Sequence, residues 1–173
     1  MASSLGNVIA ESLQLSLSYA ERLLKDVSAT QFGRFARPGG QVVESNHPAF
    51  VFGHLSLYGP RILTQLGKSS LAVPAGFDSL FSKDAKCVDD VSGSIYPAMD
   101  VITGSFFEGW RAAADALRAA SDAALQQTNP MEGRMRDMFP SLGSMHNFYV
   151  GGHMMMHLGQ VSAWRRMSGL GAA

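Results

Sequence analysis

The stretch MDVITGSFFEGWRAAADALRAASDAA, residues 99–124, carries the clearest periodicity in the chain. Met99, Ile102, Phe106, Trp110, Ala113, Leu117, Ala120 and Ala124 recur at steps of three and four, the spacing that puts apolar side chains on one face of an α-helix. The pattern predicts a helix from Met99 to about Gln127, stopped before Asn129-Pro130.

The same spacing appears on both sides of this segment. From about Ser4 to Val27, the residues Leu5, Ile9, Leu13, Leu17, Ala20, Leu24 and Val27 form one stripe. The local alternation LQLSLS is strand-like but is outweighed by the helical register around it. A second helix is predicted near Pro48, because proline suits the first helical position and His47 or Asn46 can cap it. It carries Phe50, Val51, His54, Leu57, Tyr58 and Ile62, and Pro60 is expected to kink or end it. Residues 67–93 are rich in Ser, Gly, Pro and Asp and read as a long polar loop, with a short helical turn around Phe77 to Phe81. A polar break from Glu132 to Pro140 precedes a last helix running from about Ser141–Ser144 to Arg166. Four long helices without a convincing strand or repeat predict an all-α fold, an antiparallel four-helix bundle, as a single domain over residues 1–173.

Bulk composition narrows the function. Lys plus Arg and Asp plus Glu each number 14 among 173 residues, giving zero formal charge. Nucleic acid is therefore not an expected partner, since phosphate binding needs a basic face. The lone Cys87 cannot form an internal disulfide and fits a reducing compartment. The N-terminus lacks the basic-then-apolar order of a secretory signal, and no apolar run is long enough to span a bilayer. The expectation is a cytoplasmic protein without membrane association.

The last helix holds HMMMHLGQ, residues 153–160. Residues four apart on a helix lie on one face, so His153 and His157 can direct their imidazoles at a common spot, on the stripe Tyr149, His153, His157, Gln160, Trp164. Buried neutral imidazoles ligate zinc, nickel or iron(II), but a site needs a third ligand. His54, mid-helix on an apolar face, is the best candidate. His47 and His146 fit worse, each lying seven residues from a proposed ligand, roughly 10 Å along a helix axis. The bland alternative is a set of core histidines satisfied by hydrogen bonds. Met156 is expected in the core, with Met154 or Met155 meeting a second subunit, so that a homodimer is expected. Met154 occupies the place where a zinc protease of the His-Glu-x-x-His type needs its glutamate base, which excludes that chemistry. Cys87 lies among Asp84, Asp89 and Asp90, a setting that raises a thiol pKa and disfavours a nucleophile.

Three separated stretches resemble the DinB-like (DinB/YfiT) superfamily of metal-dependent four-helix-bundle proteins. The first is RFARPGGQVVESNHPAFVFGHLSLYGPRIL, residues 34–63, with Gly53-His54-Leu55 in its helix. The second is HMMMHLGQVSAWRR, residues 153–166, similar to that family's His-x-x-x-His-x-Gly-Gln followed by arginines. The third is their order across nearly the whole chain. The resemblance implies that His54, His153 and His157 bind one divalent metal, zinc or nickel first and iron next. It further implies a metal-dependent enzyme in which a low-molecular-weight thiol, or water, is activated against a small-molecule substrate, as in the family's thiol-dependent transferases and isomerases. Many relatives carry glutamate where Met154 stands, which removes a carboxylate from that place but leaves the ligands intact. Gln160 is expected to hydrogen-bond a ligand imidazole or the bound group, or else to serve as a structural link between helices. Tyr58 and Arg61 are candidates for the same cavity. The alternative is a non-catalytic dimeric bundle that binds a small ligand, with its histidines structural.

Overall fold

The computed structural model describes residues 4–173. Helix α1 spans Leu5–Leu24, opened by Ser4, whose hydroxyl accepts the Asn7 amide. After the short α2 (Ala29–Phe32) and a 3-10 turn at Pro38–Gly40 come α3 (Pro48–Ser56) and α4 (Tyr58–Gln65). Helix α5 is Phe77–Phe81 and α6 is Met99–Ala119, followed by the short α7 (Asp122–Leu125) and α8 (Arg134–Met138). The final arm is α9 (Leu142–Phe148), a π-helical turn (Tyr149–His153) and α10 (Met154–Met167). Among the described residues there are no strands, only the isolated bridges Ala36–Val43 and Thr128–Ser141. The chain is all-α.

Helix α6 packs on α1, α3 and α4; α1 packs on α9, the π turn and α10; and α10 returns to α3. The ring so formed encloses the core, where Leu13, Leu23, Phe52, Leu55, Ile62, Phe106, Trp110 and Leu117 are fully buried. Trp110 Nε1 donates to Leu55 O at 3.0 Å, tying α6 to the end of α3. Trp164 Nε1 donates to Arg34 O at 2.7 Å, anchoring α10 to the connection after α2. Arg165, 3% exposed, reaches across to the end of α1, donating to Leu23 O at 3.0 Å and to Lys25 O. A cation is favourable there because the last carbonyls of a helix are unpaired and carry partial negative charge.

Several boundaries depart from the periodic pattern for local reasons. The helix beginning at Pro48 divides at Leu57, three residues before Pro60. Proline has no N–H for the Ser56 carbonyl and its ring crowds that turn, so the ladder breaks upstream of it. The helix expected to reach Gln127 ends at Ala119. There Ala120 is extended, Ser121 caps a new turn by accepting the Ala124 amide, and Asp122 accepts the Leu5 amide at 2.9 Å. The new turn sends Leu125 into the core. The polar break after Glu132 contains α8, whose Arg136 bonds the carbonyls of Asn129 and Met131. The methionine assignment is corrected at one place: Met154, not Met156, is the buried one, and Met155 and Met156 are both exposed, because Val150, Met154, Leu158 and Val161 form the stripe that faces the core.

Helices α4 and α6 approach so closely that a Cβ on Gly59 would lie 2.6 Å from the Gly109 backbone. Backbone cannot yield as a side chain can, so Gly59→Ala should destabilise the protein by about 1–3 kcal/mol. Gly104, also helical, has nothing within 4 Å of its would-be Cβ. Gly104→Ala should stabilise by up to about 1 kcal/mol through helix propensity. Chemical denaturation of both variants checks the pair; equal effects would contradict this account of the α4–α6 contact.

Candidate metal centre

Helix α3 supplies His54, whose position is fixed at both ends of the segment. At the N-terminus His47 is the cap: its Nδ1 accepts the Phe50 amide at 3.3 Å and its Nε2–H donates to Val88 O at 2.9 Å. One tautomer satisfies both bonds. Mid-helix, Gly53 lets the ring of Phe81 lie where a Cβ would be only 2.5 Å away. That contact brings the end of α5 against α3, and His54 Nδ1–H donates to Phe81 O at 2.8 Å.

The other two imidazoles come from the last arm, where the chain passes from a π turn into α10. His153 closes the π turn. Such a turn carries an extra residue and leaves a carbonyl out of the regular ladder. Ser16 of α1 donates to Val150 O at 3.0 Å within it, and Gly151-Gly152 adds no side chain to the widened turn.

The three rings meet. One nitrogen from each of His54, His153 and His157 lies within 4.8 Å of the others. The Nε2 atoms of His54 and His153 are 3.3 Å apart. Two nitrogens at about 2.1 Å from one ion, at the tetrahedral angle, are separated by about 3.4 Å, so this pair fits a shared cation. His54 and His153 are 6% and 8% exposed, while His157 is half-buried and opens to a cavity. His157 Nδ1–H donates to Gln160 Oε1 at 3.2 Å, and Gln160 Oε1 also accepts from Asn46 Nδ2 at 3.0 Å. Two of the rings thus place their proton on the outer nitrogen and leave Nε2 bare, the arrangement that ligating histidines use. His153 Nδ1 is buried without a partner.

Burial, first, lowers the pKa of all three rings, and neighbouring positive or imidazole groups add to it. His153 is pushed down to about 3, by burial and then by His157 and His54. The lone pairs are therefore available at neutral pH, as metal binding requires.

The cavity above the rings measures about 570 Å³. Phe35, Phe50 and Tyr58 give it apolar walls, and Ser45, Asn46, Lys83 and Lys86 lie toward its polar side. Tyr58 packs on His153 with ring centroids 4.4 Å apart; burial raises its pKa, keeping the phenol neutral. Arg61 is exposed and lies over the outer face of Tyr58, 4.9 Å from the ring centroid, outside the cavity lining. Gln160 bonds a cluster imidazole, one of the roles its spacing allowed. His146 is elsewhere, bonded to Gln65 Oε1 at 3.0 Å.

The 67–93 segment forms one wall. Asp89 binds Arg34 at 2.7 Å, Arg37 at 2.9 Å and the Phe35 amide at 2.9 Å. The Arg34 hydrogen bond, above all, holds its carboxyl well below the usual range. Asp90 is buried, yet the amides of Tyr96, Ser94 and Ile95 outweigh the desolvation and lower its pKa. Cys87 lines the cavity, but burial pushes its thiol up to about 11, so it is protonated at neutral pH. The direction agrees with the sequence reading; the chief cause is desolvation, with Asp89 a lesser one.

Two participants were not singled out as site residues from the sequence: Asn46 and the Phe81 carbonyl. Asn46 was visible only as an alternative cap beside His47, and Phe81 only as the end of a short helical turn. Neither the protein-family models nor the curated proteins include a match to this chain.

His47, His54, His146, His153 and His157 all have folded pKa values below the unfolded value of about 6.5. The unfolded chain therefore binds the extra protons. Stability is full above about pH 6.5 and is lost as pH falls toward about 4, where His146 itself titrates. In metal-stripped protein His146 and His153 should each contribute a slope approaching about 1.4 kcal/mol per pH unit in that window, and the other three rings should add to it in the same direction. Urea denaturation across pH 4.5–7.5 should show His146→Gln with a shallower acid limb than the parent; an unchanged limb would contradict the buried neutral state of His146.

Proposed function

We propose that this protein is a metal-dependent enzyme of the DinB-like kind, built as an antiparallel four-helix bundle. Its rods are α1, α3–α4, α6 and the α9–α10 arm, and His54, His153 and His157 hold one divalent cation, zinc, nickel or iron. One observation carries the reading: three neutral imidazoles, two buried and one half-buried, converge at the floor of an open cavity, two of them with their protons drawn away to outer acceptors. As purely structural histidines they are poorly matched. His153 can give a single proton to His54 across the 3.3 Å contact, and among the described residues His157 Nε2 then has no protein donor. A cation accepts all three lone pairs.

A divalent ion in this position supplies positive charge that favours the deprotonated form of a small thiol or of water. The chain's own residues do the rest. Three neutral ligands leave that charge uncompensated, so the site favours an anionic ligand. Phe50 and Tyr58 exclude water from one side of the cavity, and neutral Tyr58 holds the His153 ring in place by a tilted ring contact, with the planes 51° apart. Lys86 lines the cavity as a cation, with Lys83 paired to Asp84 at 2.9 Å and Glu44 on the same lining. We read the reaction as transfer or isomerisation using a low-molecular-weight thiol on a small electrophile, with hydrolysis as the form it takes if water is activated. Exposed Met155 and Met156, with Leu15 and Val8 of α1, support a homodimer. Among the described residues no helix is long and apolar enough to cross a membrane.

Protein purified without a histidine tag should carry close to one equivalent of zinc, nickel or iron by elemental analysis. His54→Ala, His153→Ala and His157→Ala should each abolish it, while His47→Asn and His146→Gln should retain it. Equal metal loss from those last two would overturn the ligand assignment. With metal bound, a panel of small thiols and electrophiles should show catalysed thiol consumption; turnover of esters or amides alone would make the enzyme a hydrolase.

A further inference from the structure

Asn46 lies in the connection before α3, nowhere near His157 in sequence, yet its side chain ends the hydrogen-bond chain that governs that ring. Asn46 Nδ2 donates to Gln160 Oε1 at 3.0 Å, and the same oxygen accepts His157 Nδ1–H at 3.2 Å. An amide has two faces, and the chain runs either this way or in full reverse. With Gln160 turned over, its Nε2 would donate to His157 Nδ1, and the imidazole proton would be forced onto Nε2. A protonated Nε2 has no lone pair for a cation. Asn46, itself an amide, would turn over with Gln160 in that reversal, so the Asn46–Gln160 pair together sets whether His157 is ready to ligate.

We infer that Asn46 is a positioning residue for the metal centre: with its Nδ2 donating to Gln160 Oε1, as the structure shows, it favours the Nδ1–H tautomer of His157 and so leaves Nε2 bare. The inference rests on the reading of His157 as a ligand. His54 has no need of such a device, because its acceptor is the Phe81 backbone carbonyl, which cannot turn over. Gln160 can, and Asn46 is its second partner, placed on the cavity wall. Outer partners of ligating histidines typically change metal affinity by about 10–100-fold when altered.

The chemistry gives each substitution a distinct signature. Asn46→Asp replaces the donor by an acceptor of nearly the same shape, so Gln160 must turn its amide nitrogen inward and His157 must move its proton to Nε2. Asn46→Leu removes the donor and leaves Gln160 free to take either orientation, giving mixed tautomers. Gln160→Glu presents an oxygen whichever way it turns, so it makes Asn46 dispensable. The double variant Asn46→Leu, Gln160→Glu should therefore recover the Nδ1–H tautomer.

The test is long-range 1H–15N correlation NMR of the imidazoles in metal-free protein at pH 8, with zinc and cobalt affinities measured by chelator competition. The expected result is Nδ1–H at His157 in the parent and in the double variant, and Nε2–H in Asn46→Asp with metal affinity reduced about tenfold or more. His54 should keep Nδ1–H throughout, which serves as the folding control. An unchanged His157 tautomer in Asn46→Asp and in Asn46→Leu would overturn the inference even if metal binds. A parent that binds no metal but shows the tautomer changes would instead remove the metal reading and leave the Asn46 relay standing.

Discussion

Bringing three imidazoles side by side creates a demand that the rest of the structure answers for His54 and His157 and leaves open at His153 Nδ1: each neutral ring has one proton to place and one lone pair to satisfy. An unpaired polar group buried away from water costs about 1–3 kcal/mol. His54 gives its proton to Phe81 O, and that bond exists only because Gly53 lets α5 lie against α3. His157 gives its proton to Gln160, which Asn46 holds from the α3 side. The 67–93 segment is in turn fastened by Asp89 to Arg34 and Arg37, and by Asp90 to the backbone at residues 94–96. A segment that looks like a polar spacer in the sequence is thus the support for the first of the three rings. It also contributes Ser82, Lys83, Ala85, Lys86 and Cys87 to the cavity.

The helices have adapted to deliver the rings. The final arm is not a uniform α-helix: a π turn at Tyr149–His153 precedes α10, and Ser16 takes up the Val150 carbonyl inside it. One residue inserted into a helix rotates the downstream turns by about 100° relative to the upstream ones, since an α-helix turns once in 3.6 residues. The π turn therefore allows α9 to seat His146 and Met145 in one environment while α10 presents His153 and His157 to α3. At the other side of the site, the division at Leu57 lets α4 swing Tyr58 over His153 and bring Gly59 against Gly109.

Much of this was legible as spacing. The apolar stripes of α1, α3 and α6 located the long helices, Pro48 and His47 marked the start of α3, and the small turn at Phe77–Phe81 stood out from its polar surroundings. His153 and His157 were legible as a pair on one helix face and His54 as a histidine on an apolar face, while the family resemblance is what joined the three as one set. What escaped was whatever depends on contacts between distant segments. The end of α6 at Ala119 is decided by Ser121 and by Asp122 reaching the amide of Leu5, and periodicity carries no sign of either. The burial of Met154 in place of Met156 depends on which stripe of α10 faces α1, which the run of three methionines leaves ambiguous. Phe81 contributes through a backbone carbonyl, and a backbone group has no residue-type signature.

The central claim is that the three imidazoles share one cation, and X-ray absorption spectroscopy of the zinc- or cobalt-loaded protein addresses it most directly. The account predicts a first shell of nitrogen and oxygen scatterers near 2.1 Å, about three of them with the outer-shell pattern of imidazole. A sulfur scatterer near 2.3 Å, which would implicate Cys87 or a methionine, or fewer than three imidazoles, would contradict it.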